Sequence, residues 1–331
     1  MERDHKLDFL RALAIIGVLV IHSAARYADT EFESMIGGWF ALVARACIAS
    51  FLFVSGALFK KNQDVSYLEH RIKRVLYPYL FFSAFALVYK VSLNLIDNIY
   101  EVLLRIFTGG IFNIYFFVFV IVCMYIIIFI LDKSGILEKY LAALLLISLM
   151  INLLHASYSK QIFDFLGVED KWKDYYYLRT LLIWSPYYFL GICYRSFKLE
   201  KAVLENKMLI RAIWIFILAL YSFLYSIDIN NIGGYDSVIG TIYSLSTILF
   251  LLTFDVRNKI IYFISKTSYS IYLSHIFFVY ILRDTLHTSL TGSPSFWFSL
   301  LSFVLSLIGS LCVYYVAKLV LKSRSIHIIG A

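Results

Sequence analysis

Residues 7–27 read LDFLRALAIIGVLVIHSAARY. As one helix this stretch crosses the hydrocarbon core of a bilayer, which needs about 20 largely apolar residues. Two of its side chains are out of place in lipid. Arg11 and His22 are separated by about three turns, about 16 Å of rise and about 20° of rotation, so they share one face. Asp8, one turn before Arg11, lies on that face and is in reach of it. An arginine at the centre of a membrane helix costs about 2.5–3.5 kcal/mol on insertion scales and is kept where it meets a cavity or a partner. Two readings stand. One is an ion pair at the helix entry with a hydrogen-bonded histidine deeper in. The other is a polar track leading to an imidazole suited to general-base or acyl-accepting chemistry.

The rest of the chain repeats this pattern. Of 331 residues, 61% are apolar, against about 45–50% in soluble domains, and the mean hydropathy is +0.79. The surplus faces lipid. Apolar runs fall at roughly 7–25, 36–59, 75–96, 111–131, 138–154, 178–195, 209–226, 235–255, 268–284 and 295–317, giving an all-α bundle of about ten spans. The longest stretch between spans, 155–177, is too short for a soluble domain, so residues 1–331 read as one integral membrane domain. Small-residue cleavage chemistry does not follow the first run, which is therefore read as a retained helix. Cys47, Cys123, Cys193 and Cys312 each sit in an apolar run at spacings that suggest neither a disulfide framework nor a metal site.

Lysine and arginine set the orientation. With the N-terminus cytoplasmic, most cations fall inside, among them Arg3, Lys6, Lys60, Lys61, Arg71, Lys73, Arg74, Lys133, Lys139, Arg195, Lys198, Arg257, Lys318, Lys322 and Arg324. The outer set is the smaller: Arg26, Lys90, Arg105, Lys160, Lys171, Lys173, Arg179 and Arg283. Both termini are expected in the cytoplasm. The net charge of +8 is then the positive-inside bias and requires no nucleic acid.

Other polar groups interrupt the runs. Arg45 lies near the middle of the second span, which ends FLFVSGALF (51–59), where Ser55 and Gly56 suit close helix packing or a site. The cytoplasmic stretch KKNQDVSYLEHRIKRVLYPYL (60–80) puts Arg71 and Arg74 on one helix face just before Pro78. That face is ordinary inside charge or a phosphate site. TSYSIYLSHIFFVYILRD (267–284) places Tyr272 and His275 one turn apart, in a structural hydrogen bond or a site. The external stretch HASYSKQIFDFLGVEDKWKDYYYLR (155–179) combines Asp164, Glu169, Asp170 and Asp174 with Trp172, Tyr175, Tyr176 and Tyr177. An interfacial aromatic belt accounts for those rings better than a sugar site does.

These elements, in this order, resemble the membrane-bound acyltransferase family 3, which includes the O-acetyltransferases of bacterial surface polysaccharides. Arg11 and His22 in LRALAIIGVLVIH resemble its opening block. Arg45 through Ser55 and Gly56 resembles its arginine, Phe-rich, Ser-Gly block. Arg71 and Arg74 resemble its Arg-x-x-Arg element, and Tyr272 with His275 its late Tyr-x-x-His block. Ala49 or Ser50 stands where members often have proline, and Tyr115 where they often have tryptophan. The resemblance implies a multi-pass protein of the bacterial inner membrane. It would move an acetyl group from cytoplasmic acetyl-CoA to a hydroxyl of a surface glycan or its lipid-linked precursor, without a metal. It implies donor phosphates on Arg71, Arg74 and Arg11, a donor carbonyl or phosphate held by Arg45, and a catalytic pair of Arg11 and His22 with His22 as base or acyl carrier. The rival class is a transporter or flippase of a lipid-linked sugar. Its usual pseudo-repeated halves with broken helices are not evident, and the chain has only 3 prolines.

Overall fold

A computed structural model describes residues 4–24, 31–93, 98–227, 237–282, 296–322 and 325–330. Arg3, Arg26, Arg283 and Arg324 lie outside it, as do the outermost residues of several expected spans. So do the side chains of Lys160, Lys171 and Asp174. The described residues form helices and no strands.

The helices in chain order are α1 (His5–Ala24), α2 (Glu31–Val43), α3 (Ala46–Ala57), α4 (Val65–Ser92) and α5 (Ile99–Phe107). After a 3-10 turn at Asn113–Tyr115 come α6 (Phe116–Lys133), α7 (Ile136–Phe165), α8 (Asp170–Arg179), α9 (Ser185–Ser196), α10 (Glu200–Glu205) and α11 (Lys207–Ile227). The last are α12 (Val238–Leu252), α13 (Lys259–Leu282), α14 (Phe296–Leu321) and α15 (Ser325–Ile329).

Among the described residues, 7 helical segments are long and apolar enough to cross a membrane. They fall on the expected spans at 7–25, 36–59, 75–96, 111–131, 138–154, 209–226 and 295–317. The second is α2 and α3 joined through a break at Ala44–Arg45. Three expected spans look different. The 178–195 run is split by a bend between α8 and α9, and α9 has only 12 residues. The 235–255 run forms α12, of 15 residues. The described part of the 268–284 run, to Leu282, lies within α13, a 24-residue helix that buries Ser265, Thr267, Ser268, Ser270, Ser274 and His275. All three belong to the interior of the bundle, where they meet protein more than lipid.

α1 is the central helix and packs against α2, α3, α12, α13 and α14. Leu7, Leu10, Ala14, Ile15, Val18 and Leu19 are buried along it. Gly17 lets α3 come close, since a Cβ there would stand 3.2 Å from the Cβ of Cys47. α3 and α9 cross more tightly still. A Cβ on Gly56 would lie 2.1 Å from the Tyr188 carbonyl oxygen, and one on Gly191 2.1 Å from that of Phe53. Small residues at a crossing bring backbones together where no hydrophobic force acts between helices.

Interior polar groups are tied to the frame. Asn152 of α7, 1% exposed, donates to the Ile183 carbonyl at 2.8 Å and accepts from Thr241 of α12 at 2.9 Å. Two ion pairs anchor the start of the chain: Lys6 to Glu200 at 2.7 Å and Asp4 to Arg195 at 2.6 Å. The α3–α4 connection is fixed at both ends. Asp132 at the end of α6 accepts from the Asn62 amide at 2.7 Å, and Asp64 caps α4 by accepting from the Tyr67 amide at 3.0 Å. The first turns of α4, which carry Arg71 and Arg74, are thereby held against α3 and α6.

Candidate functional site

A cavity of about 430 Å³ opens between α1, α3, α4, α6, α13 and the residue after α15. Its walls collect five of the residues singled out from sequence: Arg11, Ser55, Arg71, Arg74 and Tyr272. The helical spacing explains the gathering on α4, where Tyr67, His70, Arg71, Arg74 and Val75 turn one face inward. The Arg71 guanidinium lies 4.1 Å from the centre of the Tyr125 ring. It also donates to Ser55 Oγ at 3.3 Å, and Ser55 donates to the Tyr125 hydroxyl at 3.3 Å. Stacking on an aromatic face orients a guanidinium and leaves its remaining N–H groups available to an anion. Ser55 and Gly56 divide the two readings between them: Ser55 faces the cavity, and Gly56 packs against α9.

Asp8, 7% exposed, accepts from Ser265 Oγ of α13 at 2.8 Å. It thereby ties α1 to the helix that carries Tyr272 and His275, and Ser265 is itself a cavity residue. Tyr272 contributes its ring to the wall. Its hydroxyl donates to the Ile114 carbonyl, and Tyr115 reciprocates by donating to the Leu273 carbonyl at 2.5 Å. Tyr115, the residue at the expected tryptophan position, is fully buried and fastens the start of α6 to α13.

His22 and His275 are neighbours, with ring centroids 5.4 Å apart. Neither is a cavity residue. They lie beyond Tyr272, whose ring centroid is 6.2 Å from that of His275. His275 is 0% exposed, and its Nδ1 contacts the Ile271 and Tyr272 carbonyls at 3.1 and 2.8 Å. Carbonyl oxygens only accept, so in neutral His275 the proton sits on Nδ1 and Nε2 carries the lone pair. That Nε2 has no hydrogen-bond partner among the described residues. His22 is half-buried at the end of α1.

Arg45 is not part of this arrangement. It stands at the break between α2 and α3 and lines a separate pocket of about 10 Å³ with Ala49, Trp184, Tyr187, Tyr221 and Ser244. The acids of the 155–179 stretch are also elsewhere. Lys173 pairs with Asp164 and, at 2.6 Å, with Asp170. Among the described residues no group of three His, Cys, Asp or Glu could hold a metal ion.

Sequence reasoning missed Tyr125, His70, Ser265, Lys266 and Tyr269 as cavity residues. A signal existed for Tyr125, the lone hydroxyl in the apolar run from Phe116 to Leu131. Tyr269 and Lys266 gave none beyond lying one and two turns before Tyr272.

With that geometry in hand, comparison with known proteins is decisive at the level of family. Residues 4–315 match the model of the acyltransferase 3 family, described as an acyltransferase domain. The chain therefore belongs to that family and is an acyltransferase. No curated protein and no solved structure matches it.

Proposed function

We propose that this acyltransferase is an O-acetyltransferase that takes its acyl group from acetyl-CoA and gives it to a hydroxyl of a surface glycan or its lipid-linked precursor. The observation that carries the reading is the cavity in which Arg71, Arg74 and Arg11 converge. An anionic nucleotide thioester needs such a mouth, and guanidinium groups hold phosphates through charge-assisted, often paired hydrogen bonds. We place the donor phosphates on Arg71 and Arg74, with Arg11 beside them and Ser55 and Tyr125 orienting Arg71. Arg45 has no part in donor binding in this arrangement.

The acyl end then points along α13 past Tyr272 toward the two imidazoles. His22 takes the proton from the acceptor hydroxyl as its oxygen attacks the thioester carbonyl, and the CoA thiolate departs. In the covalent variant, His22 carries the acetyl group between two such steps. His275 positions His22, because its backbone bonds fix which nitrogen faces outward. The remainder of the proposal is topological: a single domain of about ten spans, with both termini cytoplasmic, in a bacterial inner membrane. The three interior helices α9, α12 and α13 complete the span count. The family match favours group transfer over the flippase reading.

Replacing the imidazole tests this. His22→Ala in purified, inserted protein should abolish acetyl transfer while acetyl-CoA still binds. Transfer at the parent rate would remove His22 from the chemistry.

A further inference from the structure

The end of α4 remote from the cavity carries a second charged cluster that the proposed reaction has not used. Lys90 lies about 24 Å along the helix from Arg74. It is half-buried. Its ammonium sits 5.9 Å from the centre of the Phe112 ring, and it makes no ion pair among the described residues. Arg105 and Glu101 are the charges that act on it. Glu101 is already engaged by Arg105, at 2.9 Å from Nε and 2.5 Å from a terminal nitrogen. A third cation, Arg179, acts on Arg105 and is 6% exposed. Among the described residues it donates to neutral oxygens: those of Thr108 at 2.9 Å, Tyr175 at 2.8 Å, Gly109 at 3.3 Å and Asn113 at 3.1 Å. Arg179 thus clamps the turn that presents Phe112, and Lys90, unlike Arg105, has no carboxylate against it among the described residues.

Positive charge gathers here on the side that the overall bias depletes of it. Rings join this cluster to the imidazoles. Tyr89 and Tyr280 stack at 6.4 Å with 25° between planes, and both contact Phe112. Phe112 contacts Tyr115, and Tyr115 contacts Tyr272, which flanks His275. α13 therefore presents the cavity, the imidazole pair and this cluster in succession along its length.

We infer that Lys90, flanked by Tyr89 and Tyr280, binds the phosphate of a lipid-linked sugar acceptor and so sets its hydroxyl near His22 from the side opposite the donor. This rests on the acyl-transfer reading above. The half-buried ammonium supplies the charge, and the two tyrosine rings supply faces on which a sugar ring packs.

Direct binding tests it independently of turnover. A short polyprenyl-pyrophosphate N-acetylglucosamine is titrated into the full-length protein in nanodiscs and followed by native mass spectrometry, with phosphatidylglycerol as competitor. Lys90→Met should weaken binding about tenfold or more, the factor for losing a charge-assisted hydrogen bond. Lys90→Arg should restore most of it, and acetyl-CoA binding should stay at the parent level in both. Binding unchanged in Lys90→Met overturns the inference. So does equally tight, equally Lys90-dependent binding of phosphatidylglycerol, which would make this a membrane headgroup site. If His22→Ala retains transfer but Lys90→Met still loses the sugar lipid, the catalytic reading fails and this site stands.

Discussion

The cavity reading makes its sharpest prediction at Arg71. In the structure this guanidinium is held by the Tyr125 ring at 4.1 Å and by Ser55 at 3.3 Å, and neither contact neutralises its charge. If the donor's phosphates dock there, Arg71→Met removes charge-assisted bonds of about 1.5–3 kcal/mol in all. That range corresponds to an increase of about 10- to 150-fold in the KM for acetyl-CoA. Arg71→Lys keeps the charge but loses the planar stacking and the paired geometry, and should fall between Met and the parent. The discriminating assay runs each variant with two donors, acetyl-CoA and S-acetyl-pantetheine, which has the thioester but none of the nucleotide phosphates. The penalty for Arg71→Met should appear with the first and shrink to within about twofold with the second. An equal penalty with both donors would refute phosphate docking, because a loss blind to phosphate means that Arg71 only supports the fold of the cavity. Arg74→Met, added to Arg71→Met, should deepen the loss on acetyl-CoA alone.

Two further predictions concern the packing behind this cavity and its rim. Gly191→Ala places a methyl group 2.1 Å from the Phe53 carbonyl oxygen and 2.7 Å from the Ala57 amide nitrogen; the helices must separate, at a cost of about 1–3 kcal/mol for overpacking. Thermal unfolding in detergent should show a lower Tm, and an unchanged Tm would mean that the α3–α9 crossing is looser than drawn. Gly330, after α15, has φ of +73° and lines the cavity beside Tyr269 and Pro78. Gly330→Trp should raise the donor KM and, because the left-handed backbone and the Tyr269 ring 2.6 Å from the new Cβ strain the site, lower Tm as well; an unaltered KM would show that this segment is not a wall of the donor site.

Part of this site was readable from charge and spacing. Arg11 stood out because a cation in a membrane helix needs a reason, Arg71 and Arg74 because their three-residue spacing puts them on one helix face, and the structure gathers all three on one cavity. His22 and His275 were also legible singly, on helices far apart in sequence, but their closeness was not. It depends on α1 packing along α13, and periodicity says which face of a helix is polar without saying which helix it meets. Arg45 shows the limit of the same logic. Its cost marked it as a candidate to hold a carbonyl or phosphate, yet the break at Ala44–Arg45 turns it into a pocket of its own, away from the other arginines. Tyr125 shows the converse. A tyrosine is cheap in a membrane helix, so its place under Arg71 had no energetic flag.

The span reading bends at α9, α12 and α13 for a physical reason that bears on function. The long apolar segments with most contact to lipid, such as α11 with 11% of its span buried, are the easiest to read as membrane helices. α12 and α13 instead pack against α1, and α9 against α3, so their neighbours are protein and their composition is released from the demand for apolarity. They use that freedom for hydroxyls and imidazole: Ser274 bonds back to the Ser270 carbonyl at 2.8 Å, Thr267 to that of Phe263 at 2.9 Å, and Thr241 reaches Asn152. Backbone and polar groups satisfied within the bundle cost little there. A hydropathy window is therefore least sensitive at buried interior helices, of which α13 lines the cavity while α9 and α12 do not. Of the segments that fail the lipid test while remaining buried, α13 is the one that reaches the cavity, and it does so with Ser265, Ser268, Tyr269 and Tyr272.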